Sequence, residues 1–365
     1  MSHHDSSVPH ASDSLISLGY GPWFAAALST LDRPDLVPAR IVAVDRGRFH
    51  LAGARAPVAE LTGRLRHELA PAEHPTVGDW VAIADDRERA RVHAVLPRRT
   101  VMIRRAAGQA GEPQVVAANV DAFLIVTSAN RDANPRRLER YLAIIRDSGA
   151  EPVVIVNKID LGGDAEVVAG LRAVAGGAPV LAVSAATGAG LDGVRALVGP
   201  GRTVGFVGSS GVGKSSLINR LLGRELQVTG AIDGEDRGRH TTTRRELIEL
   251  PGGGVLVDTP GMRELGLIED SGGLAASFAD VTELAATCRF GDCRHDGEPG
   301  CAVAAAIDAG DLDEARLASW RKLEREVAHA ERRRDPAAAA RSKQRWKAIN
   351  VAQRARAKVD PKRRC

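Results

Sequence analysis

The chain reads as an α/β protein in which a doubly wound, mostly parallel sheet is preceded by a small β-barrel and followed by a helical domain that gathers metal ligands. Three observations predict this. From Val115 to about Leu267, near-continuous apolar runs alternate with helical stretches, the pattern of parallel strands buried on both faces. Before that region, five short apolar segments separated by turn residues fall within about seventy residues, as in small closed barrels. After it, Ala-rich helical segments flank three cysteines and a histidine that lie within fourteen residues.

Taken in order, residues 1–37 are rich in Ser, His and Pro without a sustained period, and a flexible leader is expected there. Residues 38–107 should form the barrel, with strands at Ala39–Val44, Arg48–Leu51, Val58–Leu61, Asp79–Ile83 and Arg91–Val95. An OB-like barrel fits this pattern, and so does an SH3-like barrel or a structural β-module. Residues 108–270 should form the parallel-sheet domain, with strands at Phe123–Val126, Pro152–Val156, Val180–Val183, Val204–Val207, Glu246–Leu250 and Val255–Val257. Loops at the C-terminal ends of such strands carry the ligand. Residues 271–330 should form the metal-bearing helical domain, where Asp311 is expected to cap a helix whose Leu317, Trp320, Leu323 and Val327 recur at helical spacing as core contacts.

Composition narrows the class. No run of eighteen apolar residues occurs, and Met1 to Ser17 lacks the basic-then-apolar layout of a secretory signal, so a cytoplasmic protein with no membrane partner is expected. Four cysteines are too few and too clustered for a disulfide framework, and Cys365 reads as a free thiol. Residues 331–365 carry thirteen basic and three acidic side chains, a surplus of ten that leaves the preceding residues at −6 within a total of +4. A basic tail on a mildly acidic body suits a polyanionic partner; a solvated tail that aids solubility accounts for the same residues.

The chemistry concentrates in four motifs. Gly208-Ser209-Ser210-Gly211-Val212-Gly213-Lys214-Ser215 follows one predicted strand and precedes a helical stretch from Leu217 to Leu222, the context a phosphate-binding loop requires. Its glycines let backbone N–H groups turn inward, Lys214 reaches the β and γ phosphates, and the Ser215 hydroxyl ligates Mg²⁺. Asp258-Thr-Pro-Gly261 follows another strand, where Asp258 would hold Mg²⁺ through water and the Gly261 N–H would sense the γ phosphate. Between them lies Arg239-His-Thr-Thr-Thr243, in which Thr242 or Thr243 is the candidate Mg²⁺ ligand of the triphosphate state.

Asn157-Lys158-Ile159-Asp160 follows the strand ending at Val156, and its aspartate can accept two hydrogen bonds from the N1–H and amine of guanine, which adenine does not offer. The Lys158 stem can lie on the purine, Asn157 can tie the loop to neighbouring strands, and Ser184-Ala185 after the next strand can direct a backbone N–H at guanine O6. GTP with Mg²⁺ is the ligand this set requires. The base-reading motif precedes the phosphate loop, the reverse of the usual order, so the domain is a circularly permuted P-loop GTPase. The fourth motif is Cys288-x4-Cys293-x-His295-x5-Cys301, three thiolates and an imidazole that would fill the tetrahedral shell of one structural Zn²⁺.

The motif order, Arg239-His-Thr-Thr-Thr243, Val77-Gly-Asp-Trp-Val81 in the barrel and the Cys/His spacing together resemble the bacterial ribosome small-subunit-dependent GTPase A family of circularly permuted GTPases. The likeness runs from about Ala39 to the helix after Cys301. It implies an N-terminal OB-fold, a permuted GTPase domain, a C-terminal zinc domain, and a role in late maturation of the 30S subunit, with the subunit and its rRNA stimulating hydrolysis. A monomer is expected.

Ras-like switches place a water-orienting Gln directly after the D-x-x-G glycine; here that residue is Met262, so intrinsic turnover should be slow until a partner completes the site. His240 is the candidate catalytic residue within the chain, and a solvated loop histidine explains it equally well. The segment after Gly261 leads within about thirty residues to the zinc ligands, so reordering of the second switch is expected to move that domain. Two other readings fit the same residues: a tRNA- or translation-linked GTPase, and a nucleotide-gated RNA-binding module with negligible hydrolysis.

Overall fold

The structure, a computed structural model, describes residues 13–86, 89–104, 114–129, 132–162, 164–223, 246–258 and 272–334. Helices α1 (Asp13–Ser17) and α2 (Pro22–Ser29) lead into barrel strands β1 (Val37–Asp45), β2 (Arg48–Ala52), β3 (Val58–Leu61), β4 (Trp80–Ala84) and β5 (Ala90–Val95), with α3 (Gly63–Glu68) between the third and fourth. An antiparallel pair, β6 (Val101–Arg104) and β7 (Gln114–Ala118), joins the barrel to the central domain. That domain comprises β8 (Ala122–Ser128), α4 (Pro135–Asp147), β9 (Glu151–Asn157), α5 (Asp164–Val174), β10 (Val180–Ala182), α6 (Leu191–Leu197), β11 (Thr203–Val207), α7 (Lys214–Leu222), β12 (Glu246–Glu249) and β13 (Val255–Asp258). Four C-terminal helices follow: α8 (Gly273–Ser277), α9 (Ala279–Ala286), α10 (Ala302–Ala309) and α11 (Glu314–Arg334).

In the barrel, β1 pairs with both β2 and β4, and β3 runs parallel to β5, closing the order β1-β2-β3-β5-β4-β1. This is the OB-like alternative, with alternate residues Ala39, Ile41, Phe49, Leu61, Val81, Ile83 and Val92 filling the interior. The central sheet runs β10-β9-β8-β11-β13-β12, parallel except for β12, and its β12 edge meets β1 where Ala43 faces Glu246. Val, Ile and Leu line both faces because helices cover both, which is why these strands read as unbroken apolar runs.

Two expectations need correction. The flexible leader expected over residues 1–37 is structured from Asp13, because Leu15, Leu18, Tyr20 and Phe24 bury their side chains at the junction of barrel and central domain. Tyr20 and Phe24 pack on Trp80, with ring centroids 5.0 and 5.7 Å away, and burial of Phe24 alone contributes about 2 kcal/mol. The cap of α11 is Asp313 rather than Asp311: its carboxylate accepts from the Ala315 N–H at 2.9 Å. Leu317, Leu323 and Val327 are buried as expected, while Trp320 is half-buried against the His295 ring.

The Val77-Gly-Asp-Trp-Val81 segment acquires a physical role at this junction. Gly78 has φ +93° and an added Cβ would stand 2.0 Å from the Ala118 carbonyl oxygen, so only glycine lets the barrel loop reach β7. Asp79 is fully buried and takes both oxygens to Arg98 at 2.8 Å. Arg40 is buried beside Trp80, gives hydrogen bonds to the carbonyls of Leu18 and Asn119, and has its pKa drawn down to about 10 by desolvation.

The C-terminal helices dock on α4 through ion pairs. Glu139 on α4 is fully buried and accepts from Arg316 at 2.9 Å and Arg136 at 3.0 Å, while Arg316 also grips Asp280 and donates to the Ser277 carbonyl. Burial pulls the Arg316 guanidinium down, but Asp280 and Glu139 outweigh it and hold its pKa above the ordinary value. Replacing Glu139 with Ala would take from Arg316 its fully buried partner, leaving only the half-exposed Asp280, and should cost about 3 kcal/mol. Urea unfolding of Glu139→Ala measures this, and a loss below about 1 kcal/mol would contradict a desolvated pair.

Candidate nucleotide site and zinc centre

Strands β10, β9, β8, β11 and β13 are parallel, so their C-terminal ends share one edge of the sheet. That edge collects the motifs regardless of their order in the chain. The phosphate loop leaves β11 at its centre; Asn157 to Asp160 leave β9 and Ser184-Ala185 follow β10 on one side, and Asp258 ends β13 on the other. Cutting and rejoining the chain elsewhere leaves this edge unchanged, because strand adjacency, not sequence order, builds it.

The phosphate loop and the base-reading loop are tied directly. Asn157 is buried, donates from Nδ2 to the Val212 carbonyl at 2.9 Å, and accepts at Oδ1 from the Ala185 N–H at 3.0 Å. One side chain thus joins three loops. Gly213 has φ +97°, and a Cβ there would stand 2.2 Å from Asn157 Nδ2, so the loop needs glycine at that contact. Lys214, at the start of α7, donates to the carbonyls of Gly208 at 2.8 Å and Ser209 at 2.6 Å, which places its ammonium inside the loop curve. Ser215 follows it in the first turn of α7.

Lys158 takes φ +67° and reaches the Gly211 carbonyl at 2.7 Å, so its stem spans from one loop to the other. Asp160 accepts from the buried Ser184 hydroxyl, which orients the carboxylate and itself accepts from the Thr187 N–H at 3.1 Å. Of the Ser184-Ala185 pair, from which a backbone N–H toward guanine O6 is expected, the Ser184 N–H donates to the Ala189 carbonyl at 2.9 Å and the Ala185 N–H to Asn157 at 3.0 Å. Two residues that the motifs do not include complete the frame: Arg220 on α7 holds the carbonyls of Ala185 and Ala186, and Arg137 on α4 reaches the Ser209 hydroxyl. Neither has a local signal in the sequence beyond being basic. His240, Thr242, Thr243, Gly261 and Met262 lie outside the described residues, and Asp258 is described by its backbone.

Cys288, Cys293, His295 and Cys301 come together between α9 and α10, with their ligand atoms all within 4.8 Å of one another. Zinc bonds of about 2.3 Å to sulfur and about 2.05 Å to nitrogen imply tetrahedral edges of about 3.8 Å between sulfurs and about 3.5 Å between sulfur and nitrogen. Cys288 and Cys301 sulfurs are 3.9 Å apart, and His295 Nδ1 is 3.6 and 3.5 Å from them. The donor set therefore fits one tetrahedral ion. Cys301 caps α10, its sulfur accepting from the Ala304 N–H at 3.3 Å. Desolvation raises the Cys288 thiol, but the N–H groups of Val303 and Ala302 at the same helix start outweigh it and lower its pKa. Cys293 is pushed up to about 12 by desolvation and by its neighbouring thiols.

A family model described as RsgA GTPase matches residues 95–268. The chain is 48% identical over 361 residues to the small ribosomal subunit biogenesis GTPase RsgA of Opitutus terrae, covering 95% of this chain and 98% of that one. It is 44% identical to the protein of the same name from Streptomyces coelicolor, with 86% of each covered. Among solved structures, YjeQ from Thermotoga maritima superposes with a TM-score of 0.61 at 25% identity, covering 80% of this chain and 98% of that one. YloQ, described as a circularly permuted GTPase, has the same fold, with a TM-score of 0.57 at 23% identity and coverage of 80% and 95%. By sequence identity over nearly its whole length and by the permuted fold that carries its motifs, the chain belongs to the RsgA family of circularly permuted GTPases.

Proposed function

We propose that this protein binds GTP with Mg²⁺ and hydrolyses it on the small ribosomal subunit during that subunit's biogenesis. The observation that carries the reading is the Asn157 side chain, which joins the phosphate loop to both base-side loops and so builds one site from motifs far apart in sequence. In this site Gly208 to Ser215 cradle the phosphates, Lys214 neutralises them, and Asp160 reads guanine. Bound Mg²⁺ supplies charge neutralisation at the β and γ phosphates, and Ser215, Asp258 and Thr242 or Thr243 are the residues that would hold it. Cys288, Cys293, His295 and Cys301 would hold one structural Zn²⁺, with no open position for catalysis. The ribosomal assignment rests on the relatives, which are small ribosomal subunit biogenesis GTPases.

The protein is read as a monomer of the cytoplasm, with barrel, zinc-bearing helices and basic tail meeting rRNA. Among the described residues no helix is long and apolar enough to cross a membrane. Measuring GTP turnover with 30S subunits, 50S subunits and tRNA added separately tests the reading. Selective 30S stimulation is expected, up to about 10⁵-fold if the subunit completes the transition-state site. Stimulation by 50S or tRNA alone would reassign the partner, and no stimulation by any of them would leave a nucleotide-gated RNA-binding module.

A further inference from the structure

The turn after β8 and the first turn of α4 belong to no nucleotide motif, yet they meet the phosphate loop. Asn134 caps α4 by accepting from the Arg137 N–H at 3.1 Å, with Pro135 next, which fixes where the first helical side chains emerge. From there Arg137 donates to Asp132 at 2.6 Å and to the Ser209 hydroxyl. Lys214 donates to the Ser209 carbonyl at 2.6 Å. Ser209, one residue into the loop, is therefore held by two cations, its backbone by the lysine of the motif and its side chain by an arginine from another helix. A cavity of about 20 Å³ bordered by Thr127, Asp132, Arg137 and Ser209 leaves the contact room to adjust.

The same helical turn bears the zinc domain. Arg136 pairs with Glu139 and with Asp313 at the start of α11, Glu139 takes Arg316, and Arg140 pairs with Glu326 further along α11. Arg146, two turns on, donates to the Ser277 hydroxyl of α8 at 2.8 Å. One helix is thus bonded at its first turn to the phosphate loop and along its length to α8 and α11, and α11 packs Trp320 against His295 of the Cys/His cluster.

We infer that Arg137 is a positioning residue of the phosphate site, through which occupation of the loop by a γ phosphate is transmitted along α4 to the zinc-bearing helices. The inference rests on the reading of the loop as a GTP site. The β phosphate common to GDP and GTP already competes for the Lys214 protons now given to Gly208 and Ser209, and the γ phosphate adds acceptors that draw the ammonium further from the Ser209 carbonyl, so the Ser209 peptide readjusts most in the triphosphate state. Arg137, bonded to the same residue, follows it, and α4 passes the change to α11 chiefly through the buried Glu139–Arg316 pair, which tolerates few alternative geometries. This route is additional to the chain connection through the second switch.

The test uses the full chain as wild type, Arg137→Ala, Arg137→Lys, Ser209→Ala and the Arg137→Ala/Ser209→Ala double variant. Affinities for GDP and a non-hydrolysable GTP analogue are measured, together with amide hydrogen exchange of α9 to α11 with each nucleotide at saturation. Arg137→Ala is expected to weaken the GTP analogue about tenfold and GDP less than about threefold, within the usual range of coupling between sites. Ser209→Ala should act alike, and the double variant should be no worse than either, because both remove one interaction. Exchange in α9 to α11 should differ between nucleotides in the wild type, lose that difference in Arg137→Ala, and regain part of it in Arg137→Lys. Equal losses for both nucleotides, multiplicative effects in the double variant, or an exchange difference that is absent in the wild type or persists in Arg137→Ala would overturn the inference. If the wild type bound neither guanine nucleotide, the underlying GTP reading would fail instead.

Discussion

Replacement of Cys301 by Ser should release the bound metal and unfold the C-terminal helices while leaving the nucleotide site able to bind. Serine is itself a good helix cap, so the Ala304 N–H keeps an acceptor and the α10 start survives. What serine cannot replace is a buried thiolate at the vertex of the tetrahedron formed with Cys288, Cys293 and His295. Structural zinc contributes apparent binding energies on the order of 10 kcal/mol to small folded units, more than α9 to α11 can recover from the part of the core they share with α4. Metal analysis should give one zinc per wild-type chain and well under half of that for the variant. Thermal unfolding should show a separate early transition in the variant, reproduced in the wild type by a strong chelator. Wild-type protein that carries no zinc and ignores the chelator would remove the metal from this account.

Asp160→Asn should change which base is bound rather than abolish binding. The carboxylate is oriented by the Ser184 hydroxyl and offers acceptors only, which suits the two donors on the guanine edge. An amide in its place turns one acceptor into an N–H donor facing a guanine donor, and a buried unmatched donor costs about 3 kcal/mol, over a hundredfold in affinity. Xanthine carries a carbonyl where guanine carries the amine, so the same amide should now favour xanthosine nucleotides. Competition between GDP and XDP for wild type and variant measures the switch. Unchanged GDP affinity in Asp160→Asn would mean that the loop after β9 does not read the base.

Much of this was legible in the chain because it depends on local chemistry. A phosphate loop demands glycine where the backbone must turn or be approached, as at Gly213 against Asn157, and those residues stand together in sequence. Buried parallel strands demand uninterrupted Val, Ile and Leu, and every strand expected from such a run is present, from β1 to β5 in the barrel and from β8 to β13 in the sheet. The three cysteines and the histidine of the cluster sit within fourteen residues, so short turns suffice to gather them.

The misses share a cause. Helices α1 and α2 are only five and eight residues long, too short to hold alone, and they are stable because Trp80, about sixty residues away, offers Tyr20 and Phe24 a surface. Among the described residues strands β6 and β7 pair only with each other, and their brief apolar runs have no period that sets them apart from a linker. Asp311 belongs to the turn that closes α10, its N–H and that of Leu312 donating to the Ala306 carbonyl, so the α11 cap falls to Asp313, which also meets Arg136, 177 residues earlier.

The sequence by itself determined the residue types, the strand and loop identities and the inverted order of the nucleotide motifs, because each follows from backbone and side-chain chemistry over a few neighbouring positions. The tertiary structure decided that Asn157 joins three loops, that Arg137 reaches Ser209, and that the helices beside the Cys/His cluster rest on α4. Those contacts depend on which strands lie side by side and which buried charges find partners, and neither is written in any local stretch of the chain.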